Sequence, residues 1–230
     1  MTSRQDAQAA LRRLRTEGPS FPSGRPDSLH HRPPSRVLEW LVGEVPLGGA
    51  SLETGCGWST ITLGLVTDRH VAIAPDPDEH TRIRAWCADH DIALDGVELV
   101  ACRSEHHLPA ATADRRLAPE TFDLVLVDGD HAAPLPALDV LFTTPLLRAG
   151  GLLVLERARI GAVAEVVGRL RADTEGWSAR HAVDDAVVFQ RRIAGSATPA
   201  RWWEQPGNDE VPSLEDRARA VRRRLRGVAS

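Results

Sequence analysis

The chain has 230 residues, 42% of them hydrophobic, and a formal charge of −4. That length suits one domain with modest extensions; the charge argues against a general nucleic-acid coat, and apolar runs of strand length only argue against a membrane span. Charges run from the N-terminus through Arg15 with no apolar core of a secretory signal, so a cytoplasmic protein is expected.

In chain order, residues 4–17 show a helical pattern with Leu11 and Leu14 on one side, and a Pro/Gly/Ser/His stretch follows over 18–34. With a short amphipathic helix over 36–42, these make an N-terminal helical arm and linker, 1–49. Strands at 50–53, 70–74, 97–101, 122–128 and 151–156 then alternate with helices near 59–67, 78–90, 135–147 and 162–174. Continuous apolar strands between helices imply a parallel sheet covered on both faces. Between Pro109 and Pro119 the periodicity is poor, and a short helix is expected there. Residues 177–183 and 186–192 read as two strands around the acidic turn Asp184-Asp185, one of them antiparallel. The expected α/β domain, 50–194, therefore holds a mostly parallel seven-stranded sheet with helices on both faces and a C-terminal antiparallel hairpin. A tail over 195–230 carries Trp202-Trp203 and an amphipathic helix over 213–227, suited to a lid or a dimer arm.

The most informative stretch is Ser51-Leu52-Glu53-Thr54-Gly55-Cys56-Gly57-Trp58-Ser59-Thr60, a carboxylate just before a Gly-x-Gly turn that opens a helix. Two glycines let backbone N–H groups approach a ligand, and Ser59 or Thr60 can cap the helix. Glu53 would repel a pyrophosphate set on that helix N-terminus, so a cationic ligand fits better. S-adenosylmethionine (SAM) carries an ammonium and a sulfonium and no phosphate. In open α/β sheets the ligand lies beyond the C-terminal strand ends, which here carry Glu53, Asp76, Ser104 with Glu105, Asp128 and Glu156. Acids or hydroxyls at five such ends, joined to the glycine turn, point to a ligand site rather than to ordinary wet loops.

Two further segments are Phe122-Asp123-Leu124-Val125-Leu126-Val127-Asp128-Gly129-Asp130-His131 and Leu146-Leu147-Arg148-Ala149-Gly150-Gly151-Leu152-Leu153-Val154-Leu155. With the glycine turn, in this order and spacing, they make residues 50–192 resemble a class I SAM-dependent methyltransferase. The likeness is to bacterial small-molecule O-methyltransferase-like proteins with a D-G-D-H sequence after the fourth strand. The resemblance implies a Rossmann-like SAM methyltransferase fold, SAM as cofactor, and methyl transfer to a small-molecule acceptor, at a hydroxyl oxygen. No nucleic-acid or membrane partner is expected, and a homodimer is an open alternative. The turn residues Gly55, Cys56, Gly57, Ser59 and Thr60 would wrap the methionyl part, Glu53 would hold its ammonium, and Ser104 would meet the adenine edge. Such proteins usually end the second strand with an acid for the ribose hydroxyls, but Ala74 stands there. Asp76, two residues on, either reaches the diol or caps the following helix.

Methyl transfer is an in-line displacement, so alignment supplies much of the rate. Histidine, with a reference pKa of about 6.5, suits proton removal near neutrality. His131 is thus the candidate base, oriented by Asp128 or Asp130; the alternative is a residue that merely bonds its loop. Catechol-type relatives bind Mg2+ through positions that correspond here to Asp128 and Glu156-Arg157, and an arginine opposes a dication. No metal is expected; Asp128, Asp130 and Glu156 would be the ligands should Mg2+ bind. His30-His31 and His106-His107 read as surface loop. The three cysteines, Cys56, Cys87 and Cys102, read as reduced thiols.

Two other classes compete with this one. A dinucleotide-dependent oxidoreductase is disfavoured because the third glycine of its fingerprint is replaced by Thr60, and by Glu53. A non-catalytic SAM-binding or assembly protein that keeps the fold is suggested by Ala74 and Arg157.

Overall fold

A computed structural model describes residues 4–17, 35–45 and 48–193. The expected linker, His30-His31, Trp202-Trp203 and the expected C-terminal helix lie outside the described residues. Strands β1 (Ala50–Thr54), β2 (Arg69–Ala74), β3 (Val97–Ala101), β4 (Phe122–Val127), β5 (Leu147–Leu155), β6 (Trp177–Val183) and β7 (Ala186–Arg191) form one sheet in the order 3-2-1-4-5-7-6. Neighbours from β3 through β5 are parallel, whereas β7 is antiparallel to both β5 and β6. The expected hairpin is therefore present, turning at Asp184 and Asp185.

Alternation along each strand sends side chains to two separate cores. Leu124 and Leu126 of β4 join the buried cluster formed with α1 (Arg4–Glu17), α2 (Ser35–Glu44), α3 (Trp58–Val66) and part of α4 (Pro77–Asp89). Val125 and Val127 join the cluster formed with α5 (Ser104–Ala113), α6 (Leu135–Thr143) and α7 (Gly161–Ala172). The N-terminal helices contribute Ala7, Leu11, Leu14, Val37, Leu38 and Leu41 to the first cluster, beside Trp58. Arg4 donates to the carbonyls of Val42, Gly43 and Val45, satisfying groups that the end of α2 leaves open.

Three elements depart from expectation. α5 starts at Ser104 and contains Pro109, earlier than the helix expected between Pro109 and Pro119, at the loss of one intrahelical N–H. His106 and His107 consequently lie on this helix and not in a loop. α6 stops at Thr143 because Thr144-Pro145-Leu146 tightens into a 3-10 turn, and β5 begins at Leu147 rather than at 151. Leu147 pairs with Phe122, and the chain then bulges before Leu152 pairs with Leu124.

At the entry to the sheet, Asp123 joins three strands. Its Oδ2 accepts from the Ala50 N–H at 2.8 Å, and its Oδ1 pairs with Arg148. A Cβ on Gly49 would lie 2.5 Å from Oδ2, so only glycine lets the chain pass there undisturbed.

Candidate active site

β2 and β3 lie on one side of β1 and β4 and β5 on the other, which makes the C-terminal ends of β1 and β4 the switch point. Glu53, Gly55 and Asp128 meet there. Gly55 has a φ of 94°, and a Cβ on it would stand 2.6 Å from the Asp128 carbonyl oxygen, so both conformation and space require glycine. The Gly57 N–H donates to Thr60 Oγ1 at 2.8 Å, and the Thr60 hydroxyl donates to Glu53 Oε1. The N-cap of α3 is Gly57 and not Ser59 or Thr60, both of which lie inside the helix; Thr60, in its first turn, holds the N-cap N–H, and the same hydroxyl braces Glu53. Ser59 is buried beside it.

Glu53 is 1% exposed. Its Oε1 accepts from Thr60 and lies 3.2 Å from His70 Nε2, whereas its Oε2 is buried with no hydrogen-bond partner among the described residues. Leaving a buried carboxylate oxygen unsatisfied is costly; a hydrogen-bond donor would satisfy it, and a cationic one most strongly. In the turn, the Cys56 Sγ lies 3.5 Å from Glu79 Oε2. Burial, followed by the charges of Glu53 and Glu79, pushes the Cys56 thiol well above its ordinary range, so a neutral thiol lines the turn.

Asp76 sits at the N-cap of α4. Its Oδ1 accepts from the Asp78 N–H at 2.9 Å, and its Oδ2 lies 3.7 Å from Arg82. Ala74 ends β2 with its side chain buried. Ser104 opens α5, and its hydroxyl and that of Thr54 face the buried carboxyl of Asp139. Burial raises the pKa of Asp139, with those hydroxyls opposing the rise. Neither Asp139 nor His70 stood out in the sequence: Asp139 sits alone in an apolar helix, and His70 follows Asp68-Arg69 at the polar start of a strand.

Beyond β4, His131 Nε2 lies 3.6 Å from Asp128 Oδ1, and Arg157 Nε lies 3.8 Å from the same oxygen. Asp130 is directed elsewhere: its Oδ1 accepts from the Ala132 N–H at 2.9 Å and its Oδ2 lies 3.9 Å from Arg103. Of the two acids in D-G-D-H, Asp128 is therefore the one beside the His131 ring. Desolvation raises Asp128 to about 7, with Arg157 opposing and Glu53 adding to the rise. Desolvation and then Asp128 raise Glu156 to about 8. Acids so perturbed in a crevice can exchange protons near neutrality. Arg157 adopts a left-handed backbone with φ 55°, uncommon outside glycine. Among the described residues, no group of three or more His, Cys, Asp or Glu is placed to hold a metal ion. The guanidinium beside Asp128 would repel a dication, so these residues do not fit Mg2+.

Strand order, hairpin and glycine turn together are those of a Rossmann-like methyltransferase fold. Residues 52–156 match the family model described as a methyltransferase domain. Among solved structures, the chain is similar to the O-methyltransferase TomG from Streptomyces achromogenes, involved in tomaymycin synthesis and solved in complex with SAM. The identity there is 19% and the TM-score 0.56, covering 81% of this chain and 89% of that one. A methyltransferase from Geobacter sulfurreducens is similar at 16% identity and a TM-score of 0.57, covering 82% and 89%. A protein from Corynebacterium glutamicum is similar at 20% identity and a TM-score of 0.55, covering 80% and 90%. At these identities the likeness is one of fold. No curated protein matches the sequence.

Proposed function

We propose that this chain is a SAM-dependent methyltransferase acting on a small-molecule acceptor at a hydroxyl oxygen. The observation that carries the reading is the buried, unpartnered Oε2 of Glu53 beside a glycine turn at the switch point of a methyltransferase fold. SAM supplies a methyl group activated on a sulfonium. Gly55 and Gly57 allow the backbone to close on the methionyl part, and Glu53 receives its ammonium. Cys56, Ser59 and Thr60 complete that wall, with Asp76 and Ser104 towards the ribose and adenine.

On the acceptor side, His131 takes the hydroxyl proton as the new carbon–oxygen bond forms, and Asp128 holds the ring and offsets its charge. Arg157 tempers the negative charge of Asp128 where catechol-type relatives place a metal. The reading includes no nucleic-acid or membrane partner, and no described helix is long and apolar enough to cross a membrane. It places the protein in the cytoplasm, with residues 50–194 as the catalytic domain.

Calorimetric titration with SAM tests the cofactor half of this reading. Glu53→Gln keeps the shape and removes the charge, and the loss of a charged hydrogen bond worth about 1.5–3 kcal/mol predicts binding weakened roughly 10- to 100-fold. His131→Asn should retain SAM binding and lose turnover by about 10²–10⁴-fold on any hydroxyl acceptor found in a panel. A folded protein that binds no SAM would sink the assignment. Ala74 and the contact between Arg157 and Asp128 favour one rival, a non-catalytic SAM-binding protein, which would bind SAM and methylate nothing.

A further inference from the structure

Ser51 and Glu53 share one face of β1, and the register sets His70 opposite Ser51 and Ala72 opposite Glu53. His70 reaches both polar neighbours: Nδ1 lies 2.8 Å from Ser51 Oγ, and Nε2 lies 3.2 Å from Glu53 Oε1. His70 is fully buried. The outer members of this chain of contacts decide where its protons sit. The Thr67 hydroxyl donates to the Leu63 carbonyl at 2.7 Å, so Ser51, 3.1 Å away, donates to Thr67 Oγ1. Ser51 Oγ then accepts from Nδ1–H of His70. At the other end, Thr60 accepts from the Gly57 N–H and donates to Glu53 Oε1. All of these contacts are satisfied together only when one more proton lies between Nε2 and Oε1, as imidazolium and carboxylate or as imidazole and carboxyl.

We propose that His70 is a positioning residue for the cofactor's ammonium, and that docking of the ammonium on Glu53 is coupled to release of one proton from the His70–Glu53 pair. The proposal rests on the SAM reading above. An ammonium at Oε2 would set two cations on one carboxylate in a dry site, where like charges repel strongly. Loss of one proton from the pair to solvent leaves one cation. The proton between Nε2 and Oε1 stays on Nε2 and the Nδ1 proton is the one given up; the Ser51 hydroxyl turns from Thr67 to donate to Nδ1, so neutral His70 keeps Nε2–H on Oε1 and the carboxylate stays held while Oε2 receives the ligand. The other ionisable groups acting on Glu53 are Asp128 from the end of β4 and Cys56 in the turn, with Glu79 and Asp76 of α4 behind Cys56. Asp128 exchanges its own proton near neutrality, so the contribution of His70 is read as a difference.

The test is titration of SAM into wild-type protein and His70→Gln at neutral pH, in buffers of different ionisation enthalpy, whose heats count the protons exchanged. Wild type is expected to release up to one proton per SAM more than H70Q, whose affinity should also lose the corresponding rise with pH. Equal proton counts in two folded proteins that both bind SAM would overturn the proposal and leave the cofactor reading standing. Should H70Q fail to fold, Ser51→Ala decides. It keeps both ionisable groups and removes the acceptor for Nδ1–H, so its proton release should fall, and a count identical to wild type overturns the proposal. Folded wild type that binds no SAM overturns the cofactor reading and this proposal with it.

Discussion

Glu156 is 3% exposed, and desolvation followed by the charge of Asp128 lets it hold its proton up to about 8 in the folded protein. The unfolded chain gives up the same proton in the ordinary carboxyl range, so folding takes up a proton across the interval between the two. The stability linked to it is fully present below the unfolded value and is lost as pH rises through the folded one. Glu156→Gln, which mimics the protonated form, is expected to flatten the fall in Tm from mildly acidic pH to about 8 and to exceed wild type above it. Thermal melts across that range check this, and an equally steep fall in the variant would contradict it. Glu53, Gly55 and Thr60 were legible in the sequence because a turn motif specifies them by spacing, and Asp128 because it ends an apolar strand in the D-G-D-H run. His70 and Asp139 were not. A histidine at the polar start of a strand acquires meaning only when the register supplies Ser51 and Glu53 as neighbours. The one available hint was the pair of polar residues at alternate positions of β1, which calls for a polar partner on the next strand.

At the scale of elements, the strands and the hairpin were readable because parallel strands buried on both faces make unbroken apolar runs. The start of β5 was not, since Arg148-Ala149-Gly150-Gly151 looks like a turn between helix and strand, yet Leu147 already pairs with Phe122. Arg148 within that bulge reaches Asp123, so the irregular stretch fastens β5 to β4 while Asp123 also holds the first N–H of β1. The helix after β3 was misplaced because Pro109 reads as a breaker. In α5 it costs only one backbone bond, and Leu108 and Ala111 on either side are buried strongly enough to carry the helix through.

Over the described residues as a whole, the order of strands and helices was legible from the sequence, but the share of the N-terminal helices in the core was not. An arginine-rich amphipathic helix such as α1 reads equally well as a free arm. Leu14 is fully buried with Leu11, Leu38, Leu41 and Trp58 in one cluster. Leu14→Ala is therefore expected to lower unfolding free energy by about 2–5 kcal/mol, the range for truncating a buried leucine, within a single cooperative urea transition. A negligible loss, or a separate early transition, would show that α1 folds independently of the sheet.

The neutral sulfur of Cys56 has a further consequence once a methyl sulfonium is admitted to the turn. Thiolates are the strongest nucleophiles a protein carries, and one placed in this wall would compete with the acceptor for the methyl group. Burial and the acids Glu53 and Glu79 keep Cys56 protonated. On the SAM reading, the carboxylate that suits the turn to a cation thereby also keeps this sulfur from taking the methyl group.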